Sequence, residues 1–223
     1  MKIGLIVEYF LKYIRTNDII AIGTSEHDTE LIDELAKILI LRKIKVHFVA
    51  STNKQARHLH DLGQETISLN EKEIDIALEF VDQVDQYNNF VKKDTKSFIR
   101  DKMIAQSALK LIVVCDKHNL IESINKDVYV EVSSFAWQRT LLNLQSYGNA
   151  RIVVDDEQKF VKTEIGHYIV RITLDNNISL EDFEYSVRNI PGVLETGVFL
   201  GMLDVVFVTD YHKEDSLIVK RRI

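Results

Sequence analysis

The sequence predicts an α/β protein: a Rossmann-like, mostly parallel sheet with helices on both faces, joined to a smaller α+β domain of the split βαβ, ferredoxin-like type. Three observations predict it. Short β-branched runs (DIIAIGT, KVHFVA, residues 74–80 and LIVVC) alternate with amphipathic segments through the first half of the chain, the rhythm of right-handed crossovers. Near Val128 that rhythm gives way to consecutive strands around two helices. A last apolar run, residues 204–208, has too little chain behind it to form a domain and is expected to return to the first sheet. The expected division is therefore 1–127 with 203–223 for the α/β domain and 128–202 for the small one.

Each element has its own local reason. MKIGLIVEYFLKYIR places Glu8, Lys12 and Arg15 at helical spacing, so it reads as an amphipathic first helix and not as a signal peptide. DIIAIGT ends in Gly23 and is followed by Leu31, Ile32, Leu35, Ala36 and Leu39 on one helical face. Residues 45–50 form a second strand, 53–62 a helix stopped by Gly63, 65–69 a third strand and 74–80 a fourth. Ser97 caps a helix reaching about residue 109, and 111–115 make a fifth strand. In the small domain VYVEVSSF is a strand, 136–147 a helix, and ARIVV, KFVKT and HYIVRITL are strands. Ser179 and Asp182 start a helix that Pro191 and Gly192 stop, and VLETGVF is one more strand.

Composition narrows the function. The 223 residues carry a net charge of −6 and a pI near 5.7, whereas a nucleic-acid partner calls for a basic face. The tail Lys220, Arg221, Arg222 reads as a solvated terminus. No apolar run approaches the roughly 18 residues of a membrane span. The one cysteine, Cys115, sits in the run LIVVC and reads as a buried strand thiol in a reducing compartment, with the cytoplasm as the expected location.

Candidate chemistry concentrates in residues 78–105, where Glu79, Asp82, Lys92 and Asp101 follow a strand and run into a helix. In open parallel sheets ligands lie beyond the carboxyl ends of the strands, and a carboxylate near a lysine can move a proton and hold the resulting charge. On spacing alone, charges that solvate a loop and a helix face are the better reading of the same four residues. GTSEHDTE occupies the place of a phosphate loop, with Gly23 allowing close backbone approach. Yet it has a single glycine, Glu26 and Asp28 are acidic, and Ser25 with Asp28 fits a capping box, so a plain helix cap is the better reading of these residues. Ser51 and Thr52 read as caps. Asp116 and His118 lack partners for a metal site.

Taken in order, these motifs resemble the ribose-5-phosphate isomerase type A family over nearly the whole chain. GTSEHDTELI stands where that family has a G-T-G-S-T loop, VASTNKQARHLHDLG matches its S-S-S segment, and LEFVDQVD stands for D-G-A-D-E. VKKDTKSFIRDKMIA stands for K-G-G-G-A-x-x-x-R-E-K, VVCDKHNLI for A-D-x-S-K, and NIPGVLETGVFLGMLDVVFV follows the closing I-P-G-V-x-x-x-G-x-F. The resemblance implies proton transfer between C1 and C2 of a sugar phosphate through an enediolate, without metal, nucleotide or other cofactor. It places Asp101 as the base, Glu79 and Asp82 as groups that orient hydroxyls or assist ring opening, and Lys92 as the stabiliser of oxyanion charge. Thr24, Ser25 and Thr95 fall at the phosphate end, with Glu26, His27, Lys93, Asp94 and Asn119 also lining the substrate. Family members form dimers or tetramers, and the small domain offers Phe135, Trp137 and Tyr147 as contacts.

The departures from the pattern also fall here. Asp101 stands where a glutamate is expected, Lys93, Asp94 and Thr95 where glycines are, Phe80 and Val81 where Gly-Ala is, and Asn119 where a lysine is. Side chains in place of glycines narrow a pocket, and acids beside a phosphate repel it. The alternative they raise is a relative that serves as a sugar-binding or assembly module, or takes a ligand without phosphate.

Overall fold

A computed structural model describes residues 2–210 and 217–221. In chain order its elements are α1 (Ile3–Phe10), β1 (Ile19–Ile22), α2 (Asp28–Arg42), β2 (His47–Ala50), α3 (Asn53–Asp61), β3 (Glu65–Thr66), β4 (Ile76–Phe80), β5 (Gln83–Val84), β6 (Phe90–Val91) and α4 (Phe98–Ser107). There follow β7 (Leu111–Asp116), β8 (Asp127–Val132), α5 (Trp137–Leu144), β9 (Gly148–Ile152), β10 (Tyr168–Leu174), α6 (Leu180–Val187), β11 (Val193–Thr196), β12 (Val198–Phe199), β13 (Val205–Thr209) and β14 (Leu217–Arg221). They pack into two compact units, one of Met1–Val81, Met103–Leu120 and Met202–Ile223, the other of Asp82–Lys102 and Ile121–Gly201. The second unit thus takes in residues 82–102 and 121–127, which the sequence reading groups with the first, and leaves Met202 to the first.

The first unit is the α/β layer. Its sheet runs β14-β13-β7-β4-β1-β2-β3, parallel at every pairing except β13 with β14. The run at 204–208 does return to this sheet, as β13 beside β7. The tail is not merely solvated: Leu217–Arg221 adds an antiparallel edge strand, with Lys220 exposed, while Arg222 lies outside the described residues. One apolar core joins Ile6 and Phe10 of α1, Leu31 and Leu35 of α2, Leu59 of α3, and Ile76, Leu78 and Phe80 of β4. Side chains alternate along a strand, so Glu79 points to the opposite face of β4. Thr52 caps α3 by accepting from the Gln55 amide, as expected.

The second unit holds a four-stranded antiparallel sheet, β11-β8-β10-β9, and a three-stranded one, β12-β6-β5. Val128, Val130 and Val132 of β8 pack with Leu144 of α5 and Phe183 and Val187 of α6. Ser179 accepts from the Asp182 amide at the start of α6. Two sequence expectations are corrected here. KFVKT forms no strand of its own and contributes only single bridges, Val154 with Phe160 and Lys162 with Tyr168. VLETGVF is two strands in two different sheets, broken at Gly197, where a Cβ would run into the Lys92 carbonyl and the Phe98 ring. Of the aromatic trio, Trp137 meets Phe160 and Tyr168 edge-on and Tyr147 meets Phe183, whereas Phe135 is 86% exposed.

Candidate active site

The chemistry of the second unit starts from the break at Gly197. Its carbonyl accepts from the Lys92 amide at 2.8 Å and its amide donates to the Tyr129 carbonyl. Lys92 is therefore pinned at the end of β6 and is 1% exposed. Five residues on, Ser97 opens α4: its hydroxyl accepts from the Arg100 amide and its carbonyl accepts from the Asp101 amide. Asp101 consequently lies in the first turn, where the helix dipole favours a carboxylate.

The Lys92 ammonium and Asp101 Oδ2 meet at 2.7 Å, each side chain 1% exposed. The same oxygen accepts the Thr95 hydroxyl at 2.5 Å. Asp101 Oδ1 is buried and has no hydrogen-bond partner among the described residues. One oxygen of the carboxylate is held by two donors, and the other is left with its lone pairs unused, which is the asymmetry a proton acceptor needs. Thr95, which the family resemblance puts at the phosphate end, gives its O–H to Asp101 and accepts from the Ser97 amide.

Asp82 is half-buried and accepts from the Lys93 amide at 2.6 Å. Burial pushes its carboxyl above the ordinary aspartate range, against the opposing pull of the Lys93 amide and of the Lys93 and Lys92 charges. Lys93 is half-buried and Asp94 is exposed.

In the first unit the central fact is Glu79, fully buried on β4. The Gly23 amide donates to the Leu78 carbonyl at 2.8 Å, which sets the end of β1 beside Glu79. A Cβ on Gly23 would land on the Glu79 carboxylate. The glycine is thus required by the acid across the sheet, a reason distinct from a phosphate loop's need for backbone approach. Thr24 is buried, Ser25 and His27 are half-buried, and Glu26 is exposed with a carboxylate oxygen 3.4 Å from His27 Nε2. The expected capping box does not form. Ser25 Oγ accepts from the His27 amide, two residues on, and His27 itself takes the N-cap position without a side-chain bond to the helix. The His27 and Phe80 rings lie 6.0 Å apart. Asn119 is half-buried on a single 3-10 turn (Lys117–Asn119) that Asp116 caps through the His118 amide.

Sequence reasoning missed Glu131 altogether. V-Y-V-E-V alternation puts it on the face of β8 opposite the valines, where solvent is the default, yet it is fully buried. Only its partners, distant in sequence, explain this: Ser97 Oγ at 3.2 Å, the Ile99 amide at 3.3 Å and His167 Nδ1 at 2.8 Å.

A buried lysine–carboxylate pair, with one carboxylate oxygen lacking a donor among the described residues, is an arrangement that can move a proton. Comparison with known proteins gives the family. A family model described as ribose 5-phosphate isomerase A (phosphoriboisomerase A) matches residues 47–213. The ribose-5-phosphate isomerase A of Prochlorococcus marinus (strain NATL1A) is 34% identical over 203 residues, covering 87% of this chain and 86% of that one. Among solved structures, ribose 5-phosphate isomerase A from Methanocaldococcus jannaschii has a TM-score of 0.86 at 21% identity and covers 99% of this chain and 98% of its own. A D-ribose-5-phosphate isomerase in complex with phospho-erythronic acid has a TM-score of 0.88 at 23% identity, covering 99% and 97%. The chain belongs to the ribose 5-phosphate isomerase A family, as the sequence motifs implied.

Proposed function

We propose that the protein interconverts ribose 5-phosphate and ribulose 5-phosphate, with Asp101 as the proton-transferring base. One observation carries the assignment of the base: in a chain of this family, Asp101 is buried against Lys92 with Oδ2 doubly held and Oδ1 without a donor among the described residues. In the open-chain aldose, Asp101 takes the proton from C2 while the C1 carbonyl becomes an enediolate oxygen. The proton returns to C1, and the O2 proton moves to O1, leaving the ketone at C2. The sequence of steps is redox-neutral overall and calls for no external oxidant or reductant. Lys92 offsets the negative charge that develops on the enediolate. Glu79 and Asp82 orient hydroxyls or assist ring opening, and burial raises the proton affinity of Asp82 above that of an ordinary aspartate. Thr24 and Ser25 hold the phosphate end.

Proton exchange tests this reading. Incubated with ribose 5-phosphate in D₂O, the protein is expected to put deuterium on the carbon next to the carbonyl as ketose forms, followed by NMR. Unphosphorylated ribose, run in parallel, reports whether the phosphate is needed; equal exchange with both sugars would favour a ligand without phosphate. No described helix is long and apolar enough to cross a membrane, and we place the protein in the cytoplasm. We assign Phe135 to a contact between copies in a homodimer or homotetramer, on the strength of its exposure.

A further inference from the structure

We infer that Thr95 and Glu131 are positioning residues for Asp101, the two ends of a hydrogen-bonded chain that fixes the base on α4. The inference rests on the reading of Asp101 as the base.

The chain is continuous and lies within the second unit. Thr95 Oγ donates to Asp101 Oδ2 at 2.5 Å and accepts from the Ser97 amide at 3.0 Å. Ser97 Oγ donates to Glu131 Oε2 at 3.2 Å, and the Ile99 amide donates to the same oxygen at 3.3 Å. Glu131 Oε1 takes His167 Nδ1 at 2.8 Å. A carboxyl group fully buried on a strand is tolerated only when its oxygens are filled. Here they are filled by the N-terminus of the helix that carries Asp101 and by one histidine. The helix start is held to β8 by this side chain, two residues before the base.

The turn that carries His167 braces the same helix start. The Glu164 amide donates to the Lys96 carbonyl, and the Glu164 carboxylate pairs with Arg100. The His167 amide donates to Thr163 Oγ at 3.1 Å, which fixes the turn. Residues 95–101 are therefore gripped at Thr95, Lys96, Ser97, Ile99 and Arg100. Thr95 has a further consequence. Asp101 stands where the family pattern has a longer glutamate and Thr95 where it has a glycine, and these two departures meet in one hydrogen bond. A shorter base has fewer rotatable bonds, and the threonine hydroxyl selects one rotamer of it. Misplacing a reacting group by about 1 Å costs on the order of 100-fold in rate.

The test uses the full chain and three variants, Thr95→Val, Thr95→Ser and Glu131→Gln, assayed for ribose 5-phosphate turnover and for amide hydrogen exchange. Thr95→Val removes the hydroxyl at nearly constant volume. It is expected to lower kcat by about 10- to 100-fold while KM stays within about threefold, and Thr95→Ser is expected to restore most of the rate. Glu131→Gln is expected to lower kcat in the same way and to speed exchange of the Ile99 and Asp101 amides. Wild-type kcat in both Thr95→Val and Glu131→Gln overturns the inference, as does a Thr95→Ser variant as slow as Thr95→Val. If the wild-type protein does not turn over ribose 5-phosphate, the functional reading fails on its own. The exchange measurement then decides the positioning role: faster exchange confined to the first turn of α4 in Glu131→Gln upholds it, and unchanged exchange overturns it.

Discussion

Gly23 lies where any side chain would occupy the same space as the Glu79 carboxylate. The two residues end neighbouring parallel strands, joined by the bond from the Gly23 amide to the Leu78 carbonyl. Gly23→Ala therefore forces either the glutamate or the end of β1 to move. A loss of about 1–3 kcal/mol is expected, the cost of overpacking. In a Glu79→Ala background the added methyl has room, and most of that loss should vanish. Denaturant unfolding of the four proteins of the cycle measures the coupling, which should be of the size seen for residues in contact, about 0.5–3 kcal/mol.

Lys92 and Asp101 are each 1% exposed and 2.7 Å apart. Breaking one half of a buried pair leaves the other charge uncompensated, at a cost of about 3–5 kcal/mol. Lys92→Met should thus be strongly destabilised as well as inactive. The double variant Lys92→Met with Asp101→Asn should regain much of the stability and none of the activity. Thermal melts beside turnover assays check both halves.

Asp82 yields a pH prediction whose sign follows from its direction of shift. Its carboxyl is raised above the ordinary aspartate range, mainly by burial. A group with a raised folded-state value contributes stability that is full below its unfolded value and is lost as pH rises through the folded one. At neutral pH the ionised Asp82 therefore works against folding. Asp82→Asn keeps an acceptor for the Lys93 amide and is expected to melt higher than wild type at pH 7. The gap should narrow as pH falls toward about 4, and turnover should drop. A melting series from pH 4 to 8 reads this directly.

Much of the fold was legible in the sequence because its period-2 and period-3.6 patterns are long and well punctuated. The parallel strands, the helices with their caps at Thr52 and Ser179, and the return of β13 to the first sheet all follow from local pattern. What was not legible depended on contacts distant in sequence. VLETGVF reads as one strand until Gly197 is seen pressed against the Lys92 carbonyl and Phe98. Ser25 and Asp28 have capping-box spacing, yet the serine closes a tighter turn onto His27. In the candidate site the residue types at Lys92 and Asp101 were readable from motif, but the partner of each oxygen was not. Thr95 is put at the phosphate end by the family resemblance alone, and its bond to Asp101, six residues on, depends on how α4 starts. Glu131 carried no signal, since an acid at an alternate strand position ordinarily faces water.

The most direct measurement is conversion of ribose 5-phosphate to ribulose 5-phosphate by the purified protein, with Asp101→Ala as the matched variant. Turnover by the wild-type protein, lowered by about 10²–10⁴-fold in the variant while circular dichroism stays unchanged, is the predicted result. Equal turnover by the two proteins would contradict Asp101 as the base, and no turnover by a folded wild-type protein would contradict the isomerase itself.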